Sequence, residues 1–164
     1  MSDETLTVSV WRGDGDTGHY VDYEVPRQES QTVLDVVTYI QRRLDTSLSY
    51  RFACRVGMCG SCAMTVNGRP RWTCRTHVSK VADGGKVRIE PLRNLPVIKD
   101  VAADLTPFFE KWQKARGRFE GRSTRHDDFD FVEPASAERQ AANEGVECIN
   151  CAVCYSACDV IDWN

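Results

Sequence analysis

Cys54, Cys59 and Cys62 stand in C-x4-C-x2-C spacing, and Cys74 follows after eleven further residues. This constrains the fold more than any other feature, because three thiolates must share one tight loop and a neighbouring segment must bring in the fourth. The donor set suits a [2Fe–2S] cluster, in which each iron takes two thiolates. Gly57 and Gly60 lie between the ligands, where a loop round a cluster must turn sharply and aim backbone N–H groups at anionic sulfur. Zinc is more usually held by paired C-x2-C knuckles, and x4 then x2 with interleaved glycines departs from that pattern.

The remaining cysteines, Cys148, Cys151, Cys154 and Cys158, form C-x2-C-x2-C-x3-C. Three thiolates on one compact turn reach three corners of a cube, which specifies [4Fe–4S] ligation. Cys158, one turn further on, is expected on the helix after that turn, facing away and serving another cluster. The later C-x-x-C-x3-C run that would complete the cube is absent before Asn164, so the sequence reads as a fragment. A disulfide framework would belong to a short exported chain. The first ten residues lack the basic and apolar regions of a signal peptide and the Arg-rich composition of a transit peptide, so a reducing bacterial or archaeal cytoplasm is expected.

With 164 residues, 41% of them hydrophobic, the chain can build one ordinary domain or two small ones, and the two cysteine groups favour two. A net charge of −3 offers no basic face for nucleic acid. No apolar run approaches the roughly 20 residues that cross a bilayer. Any membrane association is therefore expected through a partner.

Leu6–Trp11 and His19–Val25 alternate apolar and polar residues on either side of the turn-prone stretch Arg12–Gly18, as an antiparallel hairpin would. Thr32 can cap a helix of about three turns whose buried face is Val33, Leu34, Val36, Val37, Ile40 and Leu44. Ala63–Val66 reads as a strand, Asn67-Gly68 as a type I′ turn, and Arg69–Cys74 as the returning strand that delivers Cys74. Asp83-Gly84-Gly85 then turns into a last strand, Lys86–Glu90. That order predicts an α+β chain: an N-terminal β-grasp, 2Fe-2S ferredoxin-like domain over residues 1–103, and part of an α-helical ferredoxin domain over 104–164. In the second part Thr106 can cap a helix with Pro107 in its first turn and Phe108, Phe109 and Trp112 along it. Residues 117–130 form a polar surface connection, and Pro134–Ser136 open a short helix over Ala137–Asn143.

The two motifs, in this order and about seventy residues apart, resemble the iron–sulfur subunit of succinate dehydrogenase and fumarate reductase over essentially the whole chain. Leu48–Cys54, Cys59-Gly60-Ser61-Cys62 and Cys148-Ile149-Asn150-Cys151 look most like the fumarate reductase branch. A plant-type ferredoxin has a longer gap before its fourth cysteine. The resemblance implies that Cys54, Cys59, Cys62 and Cys74 hold [2Fe–2S], that Cys148, Cys151 and Cys154 hold [4Fe–4S], and that Cys158 serves a [3Fe–4S] cluster of the full-length protein. It implies a flavoprotein partner carrying FAD, membrane-anchor partners with quinone, and a peripheral position on the cytoplasmic face of the inner membrane.

Trp163 matches a position where the family places a tryptophan beside the quinone in some succinate dehydrogenases; its plainer reading is an apolar residue near a chain end. Asp159 departs from the usual proline, and a carboxylate there would lower a neighbouring cluster's potential. Arg51, Arg55, Arg69, Arg71 and Arg75 crowd the first cysteine group, either balancing its negative charge or docking an acidic partner. No catalytic residue stands out, so the expected role is electron transfer within an oxidoreductase complex. A free-standing soluble ferredoxin, with Cys158 completing the cube, is the alternative, and a zinc-stabilised interaction module is a third reading.

Overall fold

The computed structural model describes residues 5–15, 17–117, 125–129 and 131–163. Strands β1 (Thr5–Asp14) and β2 (Thr17–Pro26) pair antiparallel from Thr5↔Pro26 to Asp14↔Thr17. The ladder reaches further than alternation implies, since Arg12, Gly13 and Asp14 are paired residues and not turn residues. Two facing glycines make this possible. A Cβ on Gly13 would lie 2.1 Å from the Thr17 carbonyl oxygen, and one on Gly18 would lie 2.2 Å from the Trp11 ring.

β3 (Ala63–Val66), β4 (Arg69–Trp72) and β5 (Lys86–Glu90) complete a five-stranded sheet of order β2-β1-β5-β3-β4, in which β5 runs parallel to β1 and antiparallel to β3. Helix α1 (Val33–Tyr39) crosses it. The Thr32 hydroxyl accepts the Asp35 N–H, and the Asp35 carboxylate accepts the Thr32 N–H, a reciprocal capping box. α1 buries Val33, Val36 and Val37 against Leu6, Val8, Val10, Met64, Val66, Val87 and Ile89. This mixed sheet with a helix laid across it is the expected β-grasp.

The expected regular third turn of the helix is instead a π-helical turn, Ile40–Leu44, in which the Asp45 N–H donates to the Ile40 carbonyl. The wider turn carries Leu44 off the buried face, and it is 46% exposed. Asn67 (φ +48°) and Gly68 (φ +75°) both adopt the left-handed conformation, as a type I′ turn requires. The returning strand stops at Trp72, however. Thr73–Arg75 is a 3₁₀ turn, so Cys74 sits on a turn and not on the strand. The Thr73 N–H and hydroxyl both donate to the Cys62 carbonyl, at 3.3 and 2.8 Å, which ties that turn to the cysteine loop.

A short hairpin, β6 (Val97–Lys99) and β7 (Ala102–Ala103), was not foreseen from the sequence. In helix α2 (Thr106–Lys114), Thr106 does not cap. The N-cap position falls to Leu105, which offers no side-chain cap, and the Asp104 carboxylate just before it accepts the Thr106 N–H and hydroxyl. Ser136 caps α3 (Ala137–Val146), which runs past Asn143 and buries none of its residues. Residues 118–124 and 130 of the polar connection lie outside the described residues. Two single-turn helices, α4 (Val153–Ser156) and α5 (Asp159–Asp162), flank Cys158, whose backbone is extended, so Cys158 separates helices where it was expected on one. Ala152 is buried with Leu92, Leu95 and Ala103, which seats the second cysteine group on the β-grasp. No helix among the described residues is long and apolar enough to cross a membrane.

Candidate metal centre

The loop carrying Cys54, Cys59 and Cys62 turns through left-handed residues at Arg55 (φ +60°), Gly57 (φ +77°) and Gly60 (φ +68°). Alternation of left- and right-handed residues rotates successive peptides so that their N–H groups point to the concave side. Three of these groups converge on one sulfur. The N–H groups of Met58 and Cys59 reach Cys54 Sγ at 3.3 Å and that of Val56 at 3.5 Å, while the Cys54 N–H reaches Cys59 Sγ at 3.5 Å. Cys62 and Cys74 form the buried side, packed with Leu34 and partly buried Tyr50 and Trp72.

Electrostatics differ across the four thiols. The Ser61 side chain and then the Cys54 N–H favour the Cys59 thiolate, lowering its pKa to about 6. Burial, and next the adjacent Cys62 thiol, push Cys74 up to about 11. The cysteines therefore meet as two neighbouring pairs, Cys54 with Cys59 and Cys62 with Cys74. Among the described residues no three or more His, Cys, Asp or Glu side chains gather closely enough to share a single metal ion. Paired thiols and N–H groups aimed at sulfur suit a sulfide-bridged pair of irons better than one tetrahedral metal.

A half-buried polar cluster around buried Asp100, unforeseen in the sequence, fixes the approach to this loop. Arg12 donates through Nε to Asp100 at 3.0 Å, through Nη1 to Tyr23 at 2.6 Å and to Asp45, and through Nη2 to Ser47 at 2.8 Å. Asp100 also accepts the Gly13 and Ser49 N–H groups at 3.1 and 2.8 Å. Burial alone would lower the Arg12 pKa, but Asp100, Asp45 and Tyr23 raise it overall. The Ser47 hydroxyl, followed by Arg12, holds Asp45 well below the usual carboxylate range. Residues 45–49 are thus pinned to the β1 end and the β6–β7 turn, immediately before Arg51–Cys62.

The five arginines divide. The Arg75 stem packs beside Gly57, and the Arg55 guanidinium lies 4.9 Å from the Phe52 ring centre. Arg51 donates to the Ala103 carbonyl at 2.8 Å, which makes it a strut to β7. Arg69 and Arg71 line a separate cleft with Arg93 and Asp159. At the loop tip Val56 and Met58 are exposed.

In the second group Cys148 and Cys154 are exposed, and Cys151 and Cys158 half-buried. Asn150 (φ +54°) and Ala152 (φ +59°) are left-handed, winding the turn tightly around Cys151. Asn94 Nδ2 donates to the carbonyls of Tyr155 and Cys158, and Phe108 meets Tyr155 edge-on. Asp159 lies 3.8 Å from Arg93, and Trp163 is 80% exposed.

A β-grasp presenting four thiols on one loop and the adjoining turn defines a ferredoxin-like iron–sulfur protein. The chain belongs to the 2Fe-2S iron-sulfur cluster binding domain family, whose model matches residues 6–110. It is 41% identical over 142 residues to the fumarate reductase iron-sulfur subunit of Mycobacterium tuberculosis, covering 84% of this chain and 56% of that one. With the mitochondrial succinate dehydrogenase [ubiquinone] iron-sulfur subunit 1 of Oryza sativa subsp. japonica it shares 32% identity over 165 residues, 98% of this chain and 58% of the other. A solved structure of the Mycobacterium smegmatis Sdh1 complex in the apo form superposes at a TM-score of 0.85 with 29% identity, over 99% of this chain and 67% of that one. The resemblance read from the motifs is thus homology, and the chain spans less than two thirds of the length of the two subunits.

Proposed function

We propose that this chain is the electron-relaying iron–sulfur subunit of a succinate dehydrogenase or fumarate reductase complex, working between an FAD-carrying flavoprotein and quinone at a membrane anchor. The observation that carries it is the convergence of three backbone N–H groups on Cys54 Sγ in a chain homologous to such subunits. In this reading residues 1–103 hold [2Fe–2S] through Cys54, Cys59, Cys62 and Cys74, and residues 104–164 carry Cys148, Cys151 and Cys154 for [4Fe–4S]. Cys158 serves [3Fe–4S] in the full-length protein, and Trp163 faces the quinone side. The complex lies on the cytoplasmic face of the membrane.

Bound iron–sulfur clusters supply one-electron redox chemistry. The chain's own residues do the rest. Cys59 presents a thiolate near neutral pH, the N–H groups on Cys54 offset negative charge, and Cys62 and Cys74 exclude water from the inner side. Val56 and Met58 leave exposed apolar side chains at the loop tip where a partner can approach. Anaerobic reconstitution with iron and sulfide, followed by electron paramagnetic resonance after reduction, tests this. A rhombic [2Fe–2S] signal lost in Cys54→Ser is expected, and a colourless, zinc-loaded chain would overturn the reading.

One observation favours a second reading. Cys158 is extended between two single-turn helices, so no helix directs it away from the other three thiols, and a free-standing ferredoxin could use it to close the cube. Copurification with a flavoprotein speaks for the first reading, and a stable two-cluster monomer for the second.

A further inference from the structure

The two cysteine groups meet at Gly60. A Cβ on Gly60, between Cys59 and Cys62, would lie 2.3 Å from the Cβ and 3.0 Å from the Cα of Cys151, with Ile149 Cδ1 at 3.5 Å. No side chain can stand there, so the backbone of the first loop lies directly against a cysteine of the second. Each side of this contact is pinned independently. On the first, the Ala63 N–H donates to the Gly60 carbonyl at 3.0 Å. On the second, Asn94 Nδ2 donates to the Tyr155 and Cys158 carbonyls at 3.3 and 3.1 Å, and Ala152, next to Cys151, is buried against Leu92, Leu95 and Ala103.

We infer that Gly60 and Asn94 are positioning residues that set the separation between the two metal-binding cysteine groups, and hence how readily an electron crosses between them. The inference rests on the iron–sulfur reading above. Only an electron crosses: the cluster on one cysteine group is oxidised by one electron as the cluster on the other is reduced by one, and no proton or bond moves. Tunnelling weakens steeply with separation, so a backbone laid on Cys151 couples the groups better than a gap filled by a side chain or water. Neither residue supplies a donor atom to the metal.

Gly60 also has φ +68°, which alone would favour glycine. Asparagine tolerates that backbone but carries more bulk than alanine, so the two roles give opposite orders of severity. Asn94, itself at φ +64°, can become glycine without backbone strain, deleting only the amide clamp.

The test uses the full-length protein reconstituted anaerobically, with iron and sulfide content, the midpoint potential of each cluster, the spin relaxation of the reduced [2Fe–2S] signal, and amide hydrogen exchange as readouts. The unaltered chain is expected to show relaxation of the first cluster enhanced by the second. Asn94→Gly should keep both clusters and the first cluster's potential, lose part of that enhancement, and exchange faster across residues 148–158. Gly60→Asn should lose at least as much enhancement as Gly60→Ala. Wild-type enhancement in a fully loaded Asn94→Gly chain would overturn the role of Asn94, and recovery in Gly60→Asn relative to Gly60→Ala would overturn that of Gly60. An unaltered full-length protein that takes up no second cluster overturns both the iron–sulfur reading of Cys148–Cys158 and the inference, before any variant is made.

Discussion

Asp45 shows how one carboxylate ties a loop to pH. Its folded pKa is held below the ordinary value of 3.8, by Ser47 first and then by Arg12. A depressed carboxylate stabilises the fold above its unfolded pKa, and that contribution is lost as protons bind on acidification. The thermal midpoint is therefore expected to fall more steeply below about pH 4 in the natural chain than in Asp45→Asn, which lacks this titration. Parallel melting curves from pH 6 to pH 3 decide it, and equal slopes would remove Asp45 from the account. Gly57 works by conformation. A Cβ at φ +77° meets the Arg75 stem at 2.9 Å, but that stem can swing aside, so Gly57→Ala should cost about 1–2 kcal/mol of stability from left-handed strain. Urea unfolding measures it, and a neutral result would refute the strain.

Among the elements, the helical segment over residues 33–44 carries the clearest lesson. Its apolar spacing put Leu44 on the buried face, yet the π-helical turn after Tyr39 rotates that residue into solvent while Ile40 stays fully buried. Ile40→Ala should then cost about 2–5 kcal/mol, the range for a large aliphatic removed from a packed core. Leu44→Ser should stay within about 0.5 kcal/mol, as surface changes do. Denaturant titration of both variants separates a regular helix, which would make the two costs similar, from the π-turned one. Periodicity cannot report such a turn, because it depends on where residues 45–49 are tied by Arg12 and Asp100.

For the whole molecule, the join between the β-grasp and the second cysteine group is a small core around Ala152. A carboxylate there would be buried without a partner, so Ala152→Asp is expected to lower the opening free energy of residues 148–163 by at least about 2 kcal/mol. Amide exchange should then rise in that segment while β1, β3 and β5 keep their protection. Loss of protection throughout would mean that the two parts fold as one cooperative unit.

What the amino-acid sequence determined by itself was local and chemical. Both cysteine groups, the glycines between them, the capped helix, the Asn67-Gly68 turn and the strands of the β-grasp were legible because they depend on residue type at short spacing. Tertiary structure decided what depends on contacts distant along the chain. Cys74 left the strand because Thr73 bonds to the Cys62 carbonyl, and Arg12 left the expected turn to join Asp100, eighty-eight residues away. Asn94 found its partners only beyond residue 150, and Gly60, legible as a turn residue, proved also to be where the two cysteine groups meet. No pattern of neighbours encodes these contacts, since each exists only once the packed sheet has brought the segments together.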